Sequence, residues 1–171
     1  MKRLILVIVA VLAFSQSSLF AADPGKGEVF GGYSFLNGGS GSRTTLNGWA
    51  ASYTHNVDSM VGITADFGGH YKTISGTKVN LFEYMFGPQV ALRQDKTKIF
   101  ARALFGGTRA GGGGSSTNGF SMGYGGGLDY SANDKVEIRV VQFDWVPVRF
   151  NGSWDNTNIR MAFGVVFHAG E

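Results

Sequence analysis

The chain contains no cysteine, which excludes a disulfide framework, a thiolate metal site and a lipid-anchored cysteine. It is also short of charge. Asp, Glu, Lys and Arg make up 16% of its 171 residues, against roughly a quarter in soluble domains, too little to coat an ordinary water-facing globule. After the N-terminal region no apolar run approaches the ~20 residues of a membrane-spanning helix. No dense basic stripe with interleaved aromatics is present either, so nucleic acid is not an expected partner. Histidine is sparse and scattered, at His55, His70 and His168, and no His or carboxylate spacing suggests a metal site.

Glycine and aromatics are plentiful instead. Twenty-seven glycines are about twice the usual share, aromatics reach 13% and apolar residues 43%, a composition that favours a β-rich fold over a disordered chain. Met1, Lys2 and Arg3 precede the apolar run LILVIVAVLAF, and SQSSLFAA follows with small residues. This pattern predicts a signal peptide over residues 1–22, cleaved after Ala21 or Ala22, leaving a single domain over 23–171. Loss of Lys2 and Arg3 leaves 13 basic against 12 acidic residues, so the mature chain is close to neutral.

The remaining sequence has period two. In EVFGGYSFL, Val29, Gly31, Tyr33 and Phe35 alternate with Glu28, Phe30, Gly32 and Ser34; similar runs follow in NGWAASYTH, MVGITADFGGHY, NLFEYMFGPQV, KIFARALFG, GFSMGYGGGLDY, KVEIRVVQFDWVP and RMAFGVVFHA. Such alternation signals strands. In KVEIRVVQFDWVP the phase slips at Val140–Val141, which predicts a β-bulge. The eight runs span roughly nine to twelve residues each and are joined alternately by short and long connections. HNVDS, RQDKT and SANDK carry the Asn and Asp of tight turns, whereas NGGSGSRTT, GHYKTISGTK, GGTRAGGGGSSTN and RFNGSWDNTN read as long loops.

An even number of alternating segments with short turns at one end and long loops at the other is the signature of an outer-membrane β-barrel. The expected fold is therefore all-β: an eight-stranded antiparallel transmembrane up-and-down barrel. One row of each strand is large and apolar, while the other is rich in Gly, Ala and Ser with isolated charges. A soluble barrel would need Lys, Glu and Thr on its outer row, so the apolar row is expected to face lipid and the small row to fill the narrow bore. An N-terminus released in the periplasm puts the long loops outside the cell and the short turns in the periplasm. Interfacial girdles are then expected at Phe35, Trp49, Tyr71, Phe82, Phe120 and Trp145 outside, and at Tyr53, Tyr130 and Phe167 on the periplasmic side.

The segments EVFGGYSF, YMFGPQVAL, GYGGGLDY, EIRVVQFDWVPVRF and NIRMAFGVVF resemble the strands of small bacterial outer-membrane β-barrels, the porin-like family with an OmpA/OmpX-type barrel. The resemblance covers essentially the whole mature chain and implies fold and location rather than an activity. It also implies dependence on the barrel-insertion machinery. Such barrels commonly end on an aromatic residue, whereas here Phe167 is followed by His168, Ala169, Gly170 and Glu171. No residues remain for the periplasmic peptidoglycan-binding domain of many OmpA-type proteins, so direct cell-wall anchoring is not expected.

The inner row carries the only chemically notable constellation: Glu28, Asp66, Glu83, Asp129, Glu137 and Asp144 with Lys98, Arg102, Arg139 and Arg160. Buried charges require partners, so these ten predict a salt-bridge plug; Arg102 and Arg160 with Glu83 and Asp129 are the pairs to examine, since alternation does not give the depth of each strand. The competing reading is a small-solute or ion diffusion pore gated by rearrangement of the same pairs. A lipid-modifying enzyme would need a nucleophile beside a base. The F-x-H-x-S arrangement of barrel deacylases is absent, and His70 with Ser75 is the remote alternative. GGTRAGGGGSSTNG lacks the Gly-Lys-Ser/Thr ending of a phosphate-binding loop and reads as a flexible exterior loop.

Arg43, Lys72, Lys78, Arg109 and Arg149 outweigh Asp155 on the expected exterior, a bias suited to the phosphates and sugar acids of lipopolysaccharide. The expectation is thus a non-enzymatic, cofactor-independent monomer in the outer membrane with a structural role in the envelope, contacting membrane lipids and lipopolysaccharide.

Overall fold

A computed structural model describes residues 27–39, 43–74 and 76–169. The expected signal peptide lies outside the described residues. Among the described residues there are ten strands: β1 (Gly27–Gly38), β2 (Thr44–Asn56), β3 (Val61–Ile74), β4 (Thr77–Gln94), β5 (Thr97–Gly112), β6 (Ser115–Asn133), β7 (Val136–Trp145), β8 (Val148–Phe150), β9 (Ser153–Asp155) and β10 (Ile159–Ala169). Each of β1 to β6 pairs antiparallel with the next. β10 lies between β7 and β1, and that pairing closes an eight-stranded ring. The short β8 and β9 form a hairpin appended to β6 at one rim.

Closure satisfies the backbone groups that an open sheet would leave at its edges, a requirement inside a bilayer, where each unpaired peptide group costs several kcal/mol. The side chains sort as alternation dictates. Val29, Tyr33, Phe67, Tyr84, Phe86, Phe105, Ile138, Phe143, Met161, Phe163 and Phe167 stand on the outer wall, with Phe86 61% exposed, while charged residues fill the bore. In water each such half-exposed side chain forgoes about half of the roughly 1.5–3 kcal/mol that full burial gives, repeated around the whole ring, so this wall is built for hydrocarbon.

Two irregularities trace to sequence. The β6–β7 register shifts where Leu128 faces Val141 but Asp129 faces Arg139, and the β10–β7 ladder shifts at the same level, between Ala162 and Gly164. The phase slip at Val140–Val141 is therefore a β-bulge, and both valines point outward. In β4 the ladder to β5 skips Gly87 and Pro88 without changing register, since proline has no N–H to donate.

The close approach of β1 and β10 demands glycine at one pair. Gly32 faces Gly164, and a Cβ on Gly164 would lie 2.5 Å from the Gly32 Cα. At the short-turn end, Asp58 Oδ1 accepts from the backbone N–H groups of Met60 (2.7 Å) and Val61 (2.8 Å). These bonds, that from Met60 foremost, hold its carboxyl below the usual carboxylate range.

The long connections differ from the loops expected of them. Ile74 pairs with Thr77, and Gly112 pairs with Ser115, so GHYKTISGTK and GGTRAGGGGSSTN are mostly strand extensions that project beyond the wall as hairpins. Strands accordingly run to 18 residues in β4 and 19 in β6 rather than nine to twelve. Gly113 and Gly114 turn the second hairpin at φ 59° and 86°, and Asn151 and Gly152 turn β8 into β9 at φ 48° and 87°. Positive φ at both central residues makes the tight reversal that matches strand twist, and pairing with a neighbouring strand then overrides the low strand propensity of the glycines. Gly152→Val is expected to cost the β8–β9 hairpin about 1–2 kcal/mol. Faster amide exchange confined to Val148–Asp155 would show it; unchanged exchange would mean that the turn does not hold the hairpin.

Candidate functional site: the charged bore

All ten of the inner-row charges are buried within the ring. They divide by depth into two clusters, because strand register sets how far along the bore each one stands. Nearer the short turns, Lys98 Nζ contacts Glu28 Oε2 (2.8 Å), Asp129 Oδ2 (3.1 Å) and Glu137 Oε2 (2.5 Å). Arg93 Nη2 donates to Glu28 Oε1 at 2.6 Å, and His168 Nε2 lies 3.2 Å from Glu137 Oε1. Arg139 forms a two-pronged pair with Asp129, through Nε at 2.8 Å and Nη2 at 2.9 Å.

Nearer the hairpins, Arg160 reaches Asp66 (2.8 Å), Asp144 (3.1 Å) and Glu83 (3.4 Å). Arg102 bridges the same Asp66 (2.9 Å) and Asp144 (2.8 Å). The side chains of Arg102, Arg160, Asp66, Asp144 and Glu83 have no exposure at all. A carboxylate accepting forked N–H donors from two guanidiniums is among the stronger arrangements available to a buried charge.

The clusters are joined through Gln142, which accepts from Arg139 Nη1 at 2.7 Å and donates to Asp144 Oδ2 at 2.9 Å. Between them the Arg139 guanidinium is sandwiched by Phe30 and Phe100, 4.3 Å from each ring centroid. Such stacking is worth about 2 kcal/mol or more when water is excluded. Phe30 also packs with Ala50, Ala162 and Val166, and a second apolar group of Met85, Leu104, Val146 and Val148, with Phe150 against it, adjoins the hairpin-side cluster.

Of the pairs singled out in the sequence, the structure forms one. Arg160 meets Glu83, but Arg102 meets neither Glu83 nor Asp129. Asp129 faces Lys98 across β5–β6 and Arg139 across β6–β7, which places it in the other cluster. Gln142, His70, Arg93, His168 and Ser34 join the network from outside the ten expected charges. Arg93 reads as part of the RQDKT turn, His168 as a terminal edge residue, and Ser34 as a small filler. Ser34 Oγ lies 2.9 Å from His70 Nε2, and His70 Nδ1 lies 3.5 Å from Glu83 Oε2. The inward phase of Ser34 and His70 was available from alternation; their contact, 36 residues apart, was not. The other half of the remote pairing, Ser75, lies outside the described residues.

The exterior cations are corrected from loops to strands. Lys72, Lys78, Arg109 and Arg149 belong to β3, β4, β5 and β8, and Arg43 immediately precedes β2. Arg43 Nη1 lies 3.5 Å from Asn37 Oδ1, and Arg149 Nε donates to the Gly152 carbonyl at 3.3 Å with its guanidinium 5.9 Å from the Trp154 ring.

The aromatics gather toward the two rims. At the short-turn end, Val29 pairs with both Tyr53 and Phe167, and Tyr130 faces Thr97. Toward the hairpins, Trp49 and Phe82 flank Gly69, Tyr71 meets Phe82 edge-on at 5.7 Å, Phe120 meets Trp154 at 6.2 Å, and Trp145 donates to the Asn156 carbonyl. Phe35 is half-buried against Tyr33 at 5.0 Å.

No protein-family model matches the chain, and no curated protein sequence does. Solved structures do. Neisserial surface protein A superposes with a TM-score of 0.72 at 15% identity, covering 84% of this chain and 97% of that one. Ail, the attachment invasion locus protein of Yersinia pestis, gives 0.59 at 13% identity, covering 84% and 99%. The N-terminal β-barrel domain of Pseudomonas aeruginosa OprF gives 0.54 at 11% identity, covering 84% and 97%. At these identities the likeness is one of fold. Together with the apolar wall and charged bore, it makes this chain a transmembrane β-barrel of the small outer-membrane type.

Proposed function

We propose that the chain is a monomer of the bacterial outer membrane, delivered by a cleaved leader and the barrel-insertion machinery, that supports the envelope as a closed structural barrel. The observation that carries this reading is the pair of buried ion-pair clusters that fills the bore, linked by the Gln142 amide, with Asp66, Asp144 and Arg160 entirely unexposed. Opening a path would separate buried opposite charges, at several kcal/mol for each pair. The surrounding partners are membrane lipids and lipopolysaccharide, whose phosphates suit the cations on the projecting hairpins.

A catalytic role is disfavoured by the same burial. Ser34, His70 and Glu83 stand in the order of nucleophile, base and acid, but Ser34 and His70 have no exposure and Ser34 Oγ donates to the Met161 carbonyl at 3.2 Å. A substrate carbonyl has no approach to that oxygen.

Gel mobility of the unboiled and boiled membrane fraction, followed by planar-bilayer recording, tests the proposal. A heat-dependent shift without conductance is expected. A shift with discrete current steps would replace the closed barrel with a diffusion pore, and an unshifted, water-soluble protein would remove the membrane assignment.

A further inference from the structure

On the outer wall the alternation that exposes Phe82 and Tyr84 also brings Asn80 and Lys78 to that face, one and two pleat repeats closer to the hairpin tip than Phe82. Phe82 pairs with Arg109 and Asn80 with Gly111, so Arg109 shares the face while Gly111 leaves the floor beside it low. Ser116 pairs with Gly111 on the other side, and Arg109 Nη2 donates to its Oγ at 3.2 Å. These residues line a hollow of about 790 Å³. Residues 71–82 and 105–122 include no Asp or Glu, so no carboxylate of either hairpin neutralises the two cations. Lys72 falls in the opposite phase of β3 and does not line the hollow.

Depth identifies the occupant. Phe82, Tyr71 and Phe120 form the aromatic level of this rim, and aromatic rings settle at the boundary between hydrocarbon and headgroups. Arg109 is paired with Phe82 at that level and Lys78 lies four residues nearer the hairpin tip on the same face, so the two cations bracket the height of headgroup phosphates rather than standing in the open solvent above the membrane. We propose that this hollow binds the phosphate of an outer-leaflet lipid, with Lys78 and Arg109 on the phosphate, Asn80 and Ser116 on its polar substituents, and an acyl chain along Phe82. The arrangement supplies a charge pair, neutral hydrogen-bonding groups and an apolar runway in the order in which a lipid presents them. The inference rests on the membrane-spanning reading above.

Native mass spectrometry of the full mature barrel folded in detergent, with phosphatidylglycerol or phosphatidylcholine added, tests it. The wild-type barrel is expected to retain one phosphatidylglycerol in preference to phosphatidylcholine. Lys78→Gln and Arg109→Gln should each weaken retention about fivefold, the effect of one basic side chain near an anionic headgroup, and about thirtyfold together. Lys72→Gln should leave it unchanged. Heat-dependent gel mobility verifies that each variant is folded, and the single variants carry the test if the double variant does not fold. Equal retention by folded wild type and variants, an equal loss in Lys72→Gln, or complete displacement by millimolar inorganic phosphate would overturn the lipid site while leaving the barrel in the membrane. Failure of the wild-type chain to insert into mixed phosphatidylcholine and phosphatidylglycerol vesicles would overturn both.

Discussion

Arg160→Ala is expected to destabilise the folded barrel by about 3–5 kcal/mol, the effect of removing one partner from a buried ion pair. Arg160 holds three carboxylates, those of Asp66, Glu83 and Asp144, and in its absence Arg102 is left to compensate Asp66 and Asp144 while Glu83 loses its guanidinium contact. The loss arises less from the missing attraction than from anions left in a site that water does not reach. Arg160→Lys keeps the charge but loses the planar fork that spans several carboxylates, and should be the milder change. Urea unfolding in vesicles, followed by gel mobility, reads the stability. Bilayer recording reads the second consequence, because water drawn in to solvate the orphaned carboxylates would open a leak. An unchanged unfolding midpoint together with unchanged conductance would mean that the network neither stabilises the barrel nor closes it.

The second large effect belongs to the outer wall. Phe86 lies in the middle of β4, opposite Phe105, and faces outward. If that wall meets hydrocarbon, Phe86→Arg should cost about 2–4 kcal/mol in a bilayer, the value for a cation near the midplane of a barrel's lipid face. Val57 is just as exposed, at 62%, but sits in the β2–β3 turn, and Val57→Arg should be close to neutral. Exposure alone cannot distinguish the two positions, so the contrast reports the solvent at each. Equal, small effects from both substitutions would indicate water around the whole wall, since ordinary surface changes stay within about 0.5 kcal/mol.

Much of this architecture is local information. Strand identity, the two faces of each strand and the bulge at Val140–Val141 follow from a period of two residues, which needs no knowledge of neighbours. The composition of the rows also identifies the solvent: a large apolar row can be outermost only in lipid, and a row of Gly, Ala and Ser with isolated charges fits a bore too narrow for much else. Local composition misleads where pairing outweighs propensity. The glycine-rich stretch after Phe105 reads as flexible loop, yet β5 and β6 remain paired through it to the Gly113–Gly114 turn.

By itself, then, the sequence determined that the chain forms alternating strands, which side of each strand carries charge, and which solvent the other side demands, because each of these depends on residues at most a few positions apart. Tertiary structure alone decided which charges touch. Glu28 and Lys98 meet across 70 residues, Glu83 and Arg160 across 77, and Ser34 and His70 across 36. Those contacts depend on the depth at which each strand is held, and depth comes from the registers accumulated around a ring that the β1–β10 pairing closes. Alternation fixes the direction of a side chain modulo two residues but not its height, and an ion pair across a bore requires both.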